Sequence, residues 1–247
     1  MKAMIFAAGL GTRLKPLTDS RPKALVPVNG KPMLEWVILR LIKEDIKDII
    51  VNVHHYAEQI INFLNSHDNF RINIEISHEQ NLLDTGGGVK KTAWFFEGEK
   101  DFLVHNCDIL SSINLKSIYN EHTLKNADAT LCVSKRKSSR YLLFDMNGYL
   151  CGWKSLKENK ILWADNAVSK VNEYAFNGIH ILSQKLLKKF KAESKYPIIA
   201  EYLRLAKENR ICVYDASNDP WIDLGKPENL KNVSQLFSKK YFSYLSI

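Results

Sequence analysis

The first half of the chain switches repeatedly between short apolar runs and stretches with helical spacing. Ala3–Ala7 is a brief apolar run that ends at glycines and predicts a buried strand. Met33–Ile42 is apolar round most of its circumference, which predicts a helix packed on a sheet. Asp48–Val53 predicts a second strand, Tyr56–Leu64 a helix, and the strict alternation of Arg71–Ile76 a third strand. A helix is expected over Gly88–Phe95, after three glycines in a row, and Phe102–His105 predicts a fourth strand ending at Asn106-Cys107-Asp108. Strands and helices in this order predict parallel pairing through right-handed crossovers.

The second half is less regular. Ala129–Ser134, Tyr141–Asp145 and Tyr149–Trp153 read as strands, the last two joined at Met146-Asn147-Gly148, where Asn-Gly is a hairpin signal. Tyr174–Leu182 reads as a strand interrupted by Asn177-Gly178. Helices are expected over Ser183–Phe190 and Pro197–Lys207, then a strand over Ile211–Tyr214 and a C-terminal helix opened by Pro227. No repeat or Pro/Gly/Ser linker divides the chain. The expectation is one domain, 1–247, of α/β class: a Rossmann-like three-layer sandwich with a central, mostly parallel sheet and a small β-hairpin lobe.

Composition narrows the class. The hydrophobic share of 45% and charged share of 25% exclude a wholly disordered or fibrous chain. No run reaches the ~18–20 apolar residues needed to span a bilayer. The apolar part of the N-terminus is only Ala3 to Ala8, interrupted beyond by Gly9, Gly11 and Arg13, so a strand and loop are expected in a cytoplasmic protein. Cys107, Cys132, Cys151 and Cys212 are scattered without a CxxC pair, which argues against a disulfide framework or structural zinc. The net charge of +8 is mostly interleaved with acids, so solvated faces account for it and neither nucleic acid nor membrane is expected as a partner. Tyr241, Phe242, Tyr244 and Leu245 offer an apolar surface to the domain or to a second subunit, and the oligomeric state is left open.

Ala7-Ala8-Gly9-Leu10-Gly11-Thr12-Arg13 follows the first predicted strand directly. Glycines there let the backbone approach a ligand and aim N–H groups at an anion. A Walker A loop would close on Gly-Lys-Ser/Thr, where this chain has Gly-Thr-Arg. A Rossmann fingerprint would need a third small residue where Leu14 stands, and an acid near Asn52-Val53-His54. A glycine pair alone makes a tight turn. Arg13, followed by Arg21-Pro22-Lys23, adds fixed cations that suit a triphosphate.

The segment MKAMIFAAGLGTRLKPLT, with RPKALVPVNGKPML after it, resembles the signature of the nucleoside-diphosphate-sugar pyrophosphorylases, or sugar-1-phosphate nucleotidyltransferases. The pattern is matched at Gly9, Gly11, Thr12, Arg13, Pro22, Lys23, Gly30 and Pro32. It continues in order through Asp84-Thr85-Gly86-Gly87-Gly88, Asp108, Phe176–His180 and Trp221–Gly225, covering nearly the whole chain. The resemblance implies the nucleotide-diphospho-sugar transferase fold and transfer of a nucleoside monophosphate from an NTP to a sugar 1-phosphate. Two polyanions must meet in that reaction, so the protein's task is positive charge and orientation rather than a covalent nucleophile.

The resemblance also implies roles. Ala7, Ala8, Gly9, Gly11 and Thr12 would cradle the nucleotide with Arg13 and Lys23, the two cations also stabilising the reacting phosphates. Asp108 and Asp223, each at a strand end, would hold Mg²⁺. Gly86, Gly87 and Gly88 would lie against the base. Asn177, Gly178 and Lys154 would hold the sugar phosphate. Two departures stand out: Cys107 precedes Asp108 where the family commonly has glycine, and Trp153 precedes Lys154 where it tends to have glutamate. UTP and an N-acetylated amino-sugar 1-phosphate are the expected substrates. Guanylyl transfer to a mannose- or heptose-type 1-phosphate, cytidylyl transfer, and a non-catalytic regulatory module are the competing expectations.

Overall fold

Ala3, Met4 and Ile5 have no exposed surface, and the strand they form opens the fold. The structure, a computed structural model, describes residues 1–192 and 194–238. Tyr241, Phe242, Tyr244 and Leu245 lie outside the described residues.

In chain order, β1 (Ala3–Phe6) is followed by β2 (Pro27–Val28), β3 (Lys31–Pro32) and α1 (Met33–Lys43). Next come β4 (Asp48–Val53), α2 (Ala57–Ser66), β5 (Asn73–His78) and α3 (Asp84–Lys91). After these stand β6 (Asp101–Asn106), β7 (Ile109–Ser111), α4 (Leu115–Leu124), β8 (Ala129–Ser134), β9 (Arg140–Phe144) and β10 (Leu150–Ser155). The chain continues as β11 (Lys160–Trp163), β12 (Asn172–Ser183), α5 (Gln184–Lys188) and α6 (Ile198–Ala206). It closes with β13 (Ile211–Asp215), β14 (Trp221–Asp223) and α7 (Pro227–Leu236). No helix among the described residues is long and apolar enough to cross a membrane. Strands interleaved with helices make the α/β class that the sequence predicts.

Contacts divide the chain into two compact units. The first comprises Met1–Leu82, His105–Ile113 and the chain from Asp219 onward. Its strands β1, β4 and β5 run parallel, Ile5 opposite Val51 and Val51 opposite Ile76. β7 and β14 form a separate antiparallel ladder in which Asp223 pairs with Ile109. One apolar cluster, including Leu14, Met33, Trp36, Leu110, Ile222 and Leu224, ties the loop after β1 to α1 and to that ladder. Each fully buried side chain of this size contributes about 2 kcal/mol, so the loop is anchored by packing.

The second unit comprises Leu83–Val104 and Asn114–Asn218. Here β12 pairs antiparallel with both β8 and β9, β10 pairs antiparallel with β9 and β11, and β13 runs parallel to β8. The predicted hairpin turn is present: Gly148 has φ 80°, and Asp145 Oδ1 accepts the N–H groups of Asn147 and Tyr149, both at 2.9 Å. That side chain closes the turn locally, as Asx residues do.

Besides the short strands β2, β3 and β7, α4 and β11 were not predicted. α4 buries only Leu115, Ile118 and His122, too sparse a stripe to stand out; its Asn114 cap accepts from Ser117 N. β11 has hardly any buried face to mark it. The helix expected from Gly88 begins earlier, at Asp84, so the three glycines lie inside it.

Candidate active site

The loop after β1 is rooted by side chains rather than by a helix. Ala7 N–H donates to Asn52 Oδ1 at 2.8 Å, and Asn52 Nδ2 donates to Glu79 Oε1 at 2.7 Å. The Ala7 donor is therefore engaged within the scaffold, while Gly9 has open space on its Cβ side. Gly11 has φ 67°, and a Cβ there would come within 2.9 Å of Thr18 Cγ2 and 3.0 Å of Lys23 Cβ. Backbone conformation and packing both demand glycine at this turn. Thr18 Oγ1 donates to Gly11 O at 2.9 Å, and a single turn over Thr12–Leu14 then carries Arg13 to the surface.

Asp108 follows β6, and Asp223 ends β14. Cys107 N–H donates to Phe6 O at 3.1 Å, which fastens this turn beside the end of β1. Leu224 N–H donates to Asp108 O at 2.8 Å, so the two aspartates are held together by main chain. Gly225 N–H caps Asp223 Oδ1 at 2.8 Å, and Asn229 Nδ2 donates to Asp223 O at 2.7 Å. Lys23 Nζ pairs with Asp108 Oδ2, and Arg13 Nη1 lies 3.8 Å from Asp223 Oδ2. The first unit thus brings together all four of its predicted charged site residues.

The electrostatics follow from this crowding. Burial holds the Asp223 carboxyl above its ordinary pKa, and the neighbouring Asp108 adds to the rise. Gly225 N–H, Lys23 and Arg13 work in the other direction. The Cys107 thiol is pushed up to about 12, first by burial and then by Asp108, which keeps it protonated and makes it a packing residue.

Gly225 shows how tightly the groups converge. A Cβ on it would lie 2.6 Å from Lys23 Nζ, 2.7 Å from Asp108 Oδ2 and 2.8 Å from Asp223 Oδ1. Two hard carboxylate oxygens that share one neighbouring point suit a divalent cation of the Mg²⁺ kind, which takes one or two protein carboxylates and completes its shell from phosphate and water. Among the described residues no group of three or more His, Cys, Asp or Glu side chains could hold a metal. Gly225 lies in the matched Trp221–Gly225 stretch, yet nothing in the sequence distinguishes it from an ordinary turn glycine.

The remaining predicted residues belong to the second unit. Gly86, Gly87 and Gly88 are buried in the first turns of α3. A Cβ on Gly86 would run into the Tyr196 ring and one on Gly87 into Ser194 O, while Gly86 N–H donates to Tyr196 O at 2.9 Å. The first two glycines therefore serve close packing of the Ser194–Tyr196 segment. Each costs the helix about 1 kcal/mol relative to alanine, and the contact offsets it. Asn177 is fully buried, with Nδ2 donating to Ser134 Oγ at 2.7 Å, and Gly178 has φ 74°. Together they form the bulge where the β12–β8 register shifts. Lys154 Nζ meets Glu173 Oε1 at 2.8 Å, a partner the sequence offers no way to foresee because it lies on another strand.

The chain belongs to the nucleotidyl transferase family, whose pattern it matches over residues 2–240. It is 29% identical to N-acetylmuramate alpha-1-phosphate uridylyltransferase of Caulobacter vibrioides, over 92% of each chain. It is 30% identical to D-glycero-alpha-D-manno-heptose 1-phosphate guanylyltransferase of Campylobacter jejuni, over 93% of this chain and 96% of that one. Some relatives are longer: the chain spans 60% of a UTP–glucose-1-phosphate uridylyltransferase of Synechocystis, at 28% identity over 92% of its own length. Among solved structures, HddC from Yersinia pseudotuberculosis superposes with a TM-score of 0.74 at 21% identity, covering 95% of this chain and 98% of that one, which bears on the fold.

Proposed function

We propose that this chain transfers a nucleoside monophosphate from an NTP to a sugar 1-phosphate and releases pyrophosphate. UTP is the preferred donor and an N-acetylated amino-sugar 1-phosphate the acceptor. Family membership supports the reaction class. The observation that carries it is the convergence of Lys23, Asp108 and Asp223 on Gly225, with Arg13 beside them. A non-catalytic module that merely kept the fold would have no need of two aspartates and two cations crowded together against their mutual desolvation.

An oxygen of the acceptor phosphate attacks the α-phosphorus in line, and the bond to pyrophosphate breaks. No covalent nucleophile is required, so the protein acts through position and charge. Arg13, exposed on the turn after the glycine loop, holds the β- and γ-phosphates and neutralises charge on the departing pyrophosphate. Lys23 exchanges its Asp108 partner for phosphate oxygens at the reacting centre. Asp108 and Asp223 would hold Mg²⁺, which when bound would supply Lewis-acid stabilisation of the phosphate oxygens. The Asp84–Gly88 segment is assigned to the base, away from the sides of Gly86 and Gly87 that Tyr196 and Ser194 fill, and the bulge at Asn177-Gly178 and Lys154 to the acceptor. A cytoplasmic site of action belongs to the same reading.

The preference for UTP rests on the likeness of Asp84–Gly88 to the uridylyltransferase pattern and on the Caulobacter relative. The test is kcat/KM for the four NTPs, each with N-acetylmuramate 1-phosphate, N-acetylglucosamine 1-phosphate and mannose 1-phosphate, with and without EDTA. Turnover led by UTP and abolished by EDTA is expected. A tenfold preference for GTP with mannose 1-phosphate would overturn the donor and acceptor while leaving the transfer reaction in place; turnover untouched by EDTA would remove the metal.

A further inference from the structure

Lys154 on β10 and Glu173 on β12 stand on either side of β9. Lys154 is opposite Tyr141 and Glu173 opposite Leu143, and those two β9 residues share a face because side chains alternate along a strand. The ammonium and the carboxylate reach over β9 to meet at 2.8 Å, with 29% and 39% of their side-chain surfaces exposed. An ion pair this open contributes little to stability. What it does fix is the direction of a long, flexible side chain whose cation is otherwise free to wander.

We propose that Glu173 determines which acceptor Lys154 receives, favouring sugar 1-phosphates whose neighbouring substituents are uncharged hydrogen-bond donors. The assignment rests on the transfer reaction and on Lys154 holding the acceptor phosphate. A phosphate that takes Lys154 brings its negative charge to the edge of the Glu173 carboxylate. That carboxylate is then repelled unless the same ligand supplies a neutral donor, a hydroxyl or an amide N–H, to the oxygen that Lys154 leaves. A second carboxylate on the sugar makes the repulsion worse. Glu173 thus holds the ammonium ready and selects against acceptors that carry a carboxylate on the sugar in addition to the phosphate.

N-acetylglucosamine 1-phosphate and N-acetylmuramate 1-phosphate differ by one carboxylate-bearing substituent and serve as the probes. Wild type, Glu173→Gln and Glu173→Asp are compared with the NTP that wild type uses best. Glu173→Gln should lower the preference for N-acetylglucosamine 1-phosphate over N-acetylmuramate 1-phosphate by about tenfold, the scale of one like-charge contact in partly screened surroundings. The shift should lie in acceptor KM, falling for N-acetylmuramate 1-phosphate relative to N-acetylglucosamine 1-phosphate, with NTP KM unchanged, and Glu173→Asp should restore the preference. An acceptor ratio within about twofold of wild type overturns the assignment, as does a loss in which both KM values and the melting temperature move together. Wild type that turns over no NTP and sugar 1-phosphate pair overturns the transfer reading, and this assignment with it; wild-type turnover with an unmoved ratio overturns the assignment alone.

Discussion

Lys23 donates from Nζ to Asp108 Oδ2 across 85 positions of sequence, with only 14% and 11% of the two side chains exposed. Shielding from water strengthens the attraction, and it makes either charge costly once its partner is removed.

Asp108→Asn and Asp223→Asn should each lower kcat/KM by more than tenfold, a loss above about 1.4 kcal/mol. Circular dichroism should show the fold retained, because Leu224 N–H still finds the Asp108 carbonyl. Steady-state kinetics with and without added Mg²⁺ checks this. Either variant keeping more than a tenth of wild-type kcat/KM sinks the carboxylate assignment.

Arg13→Ala and Lys23→Ala separate chemistry from scaffold. Arg13 is 59% exposed and 3.8 Å from Asp223, so its removal should leave the melting temperature unchanged while turnover falls at least tenfold. Lys23→Ala should lose both activity and stability, since it strips a largely buried carboxylate of its partner. Normal kinetics in both variants would reduce the two cations to surface residues.

Gly225→Ala places a methyl within 2.8 Å of three charged groups. We expect at least a tenfold fall in kcat/KM, with a destabilisation of about 1–3 kcal/mol from overpacking. Kinetics and thermal melting of the purified variant decide the matter. A fully active alanine variant would show that the three groups do not act as a unit.

His105 has no exposed surface, and its Nδ1–H donates to Asn106 O at 2.8 Å. Burial first, and then the Arg40 charge, push its pKa down to about 4. In the unfolded chain a histidine takes up its proton near pH 6.5, so between there and about 4 the unfolded state binds more protons. Stability should therefore fall as pH drops through that window, by on the order of 3 kcal/mol from this group, and level off below it. Urea unfolding of wild type and His105→Gln from pH 7 to 4 measures the difference; equal slopes would mean that His105 titrates normally.

How much was legible depended on whether a residue's surroundings are local. The strands Asp48–Val53 and Ala129–Ser134 coincide with their predicted bounds, because a continuous apolar run records burial directly. The charged residues of the first unit were legible too, since Arg13 and Lys23 sit beside a glycine loop that only a ligand or a turn explains. The predicted start of α3 falls too late because glycine reads as a helix breaker, and the Ser194–Tyr196 segment that makes glycine fit inside the helix lies far along the chain. Glu173 escaped notice for the same reason: its partner Lys154 lies on another strand, and no spacing announces it. Gly225 was matched only as part of a stretch, since the groups that crowd it, Lys23 and Asp108, lie far along the chain.

The close fit of Ser194 and Tyr196 against Gly86 and Gly87 has a consequence for anyone wishing to redesign this enzyme. Residues that face a base are the usual dials for changing nucleotide choice, and a bare glycine surface invites the addition of a side chain. Here the space beside those two Cα atoms is already filled by the chain itself. A larger residue at either position would have to evict the covering segment before it could touch any ligand. Altered base preference must therefore be sought from other positions, and the glycine pair is a fixed point around which such a search has to work.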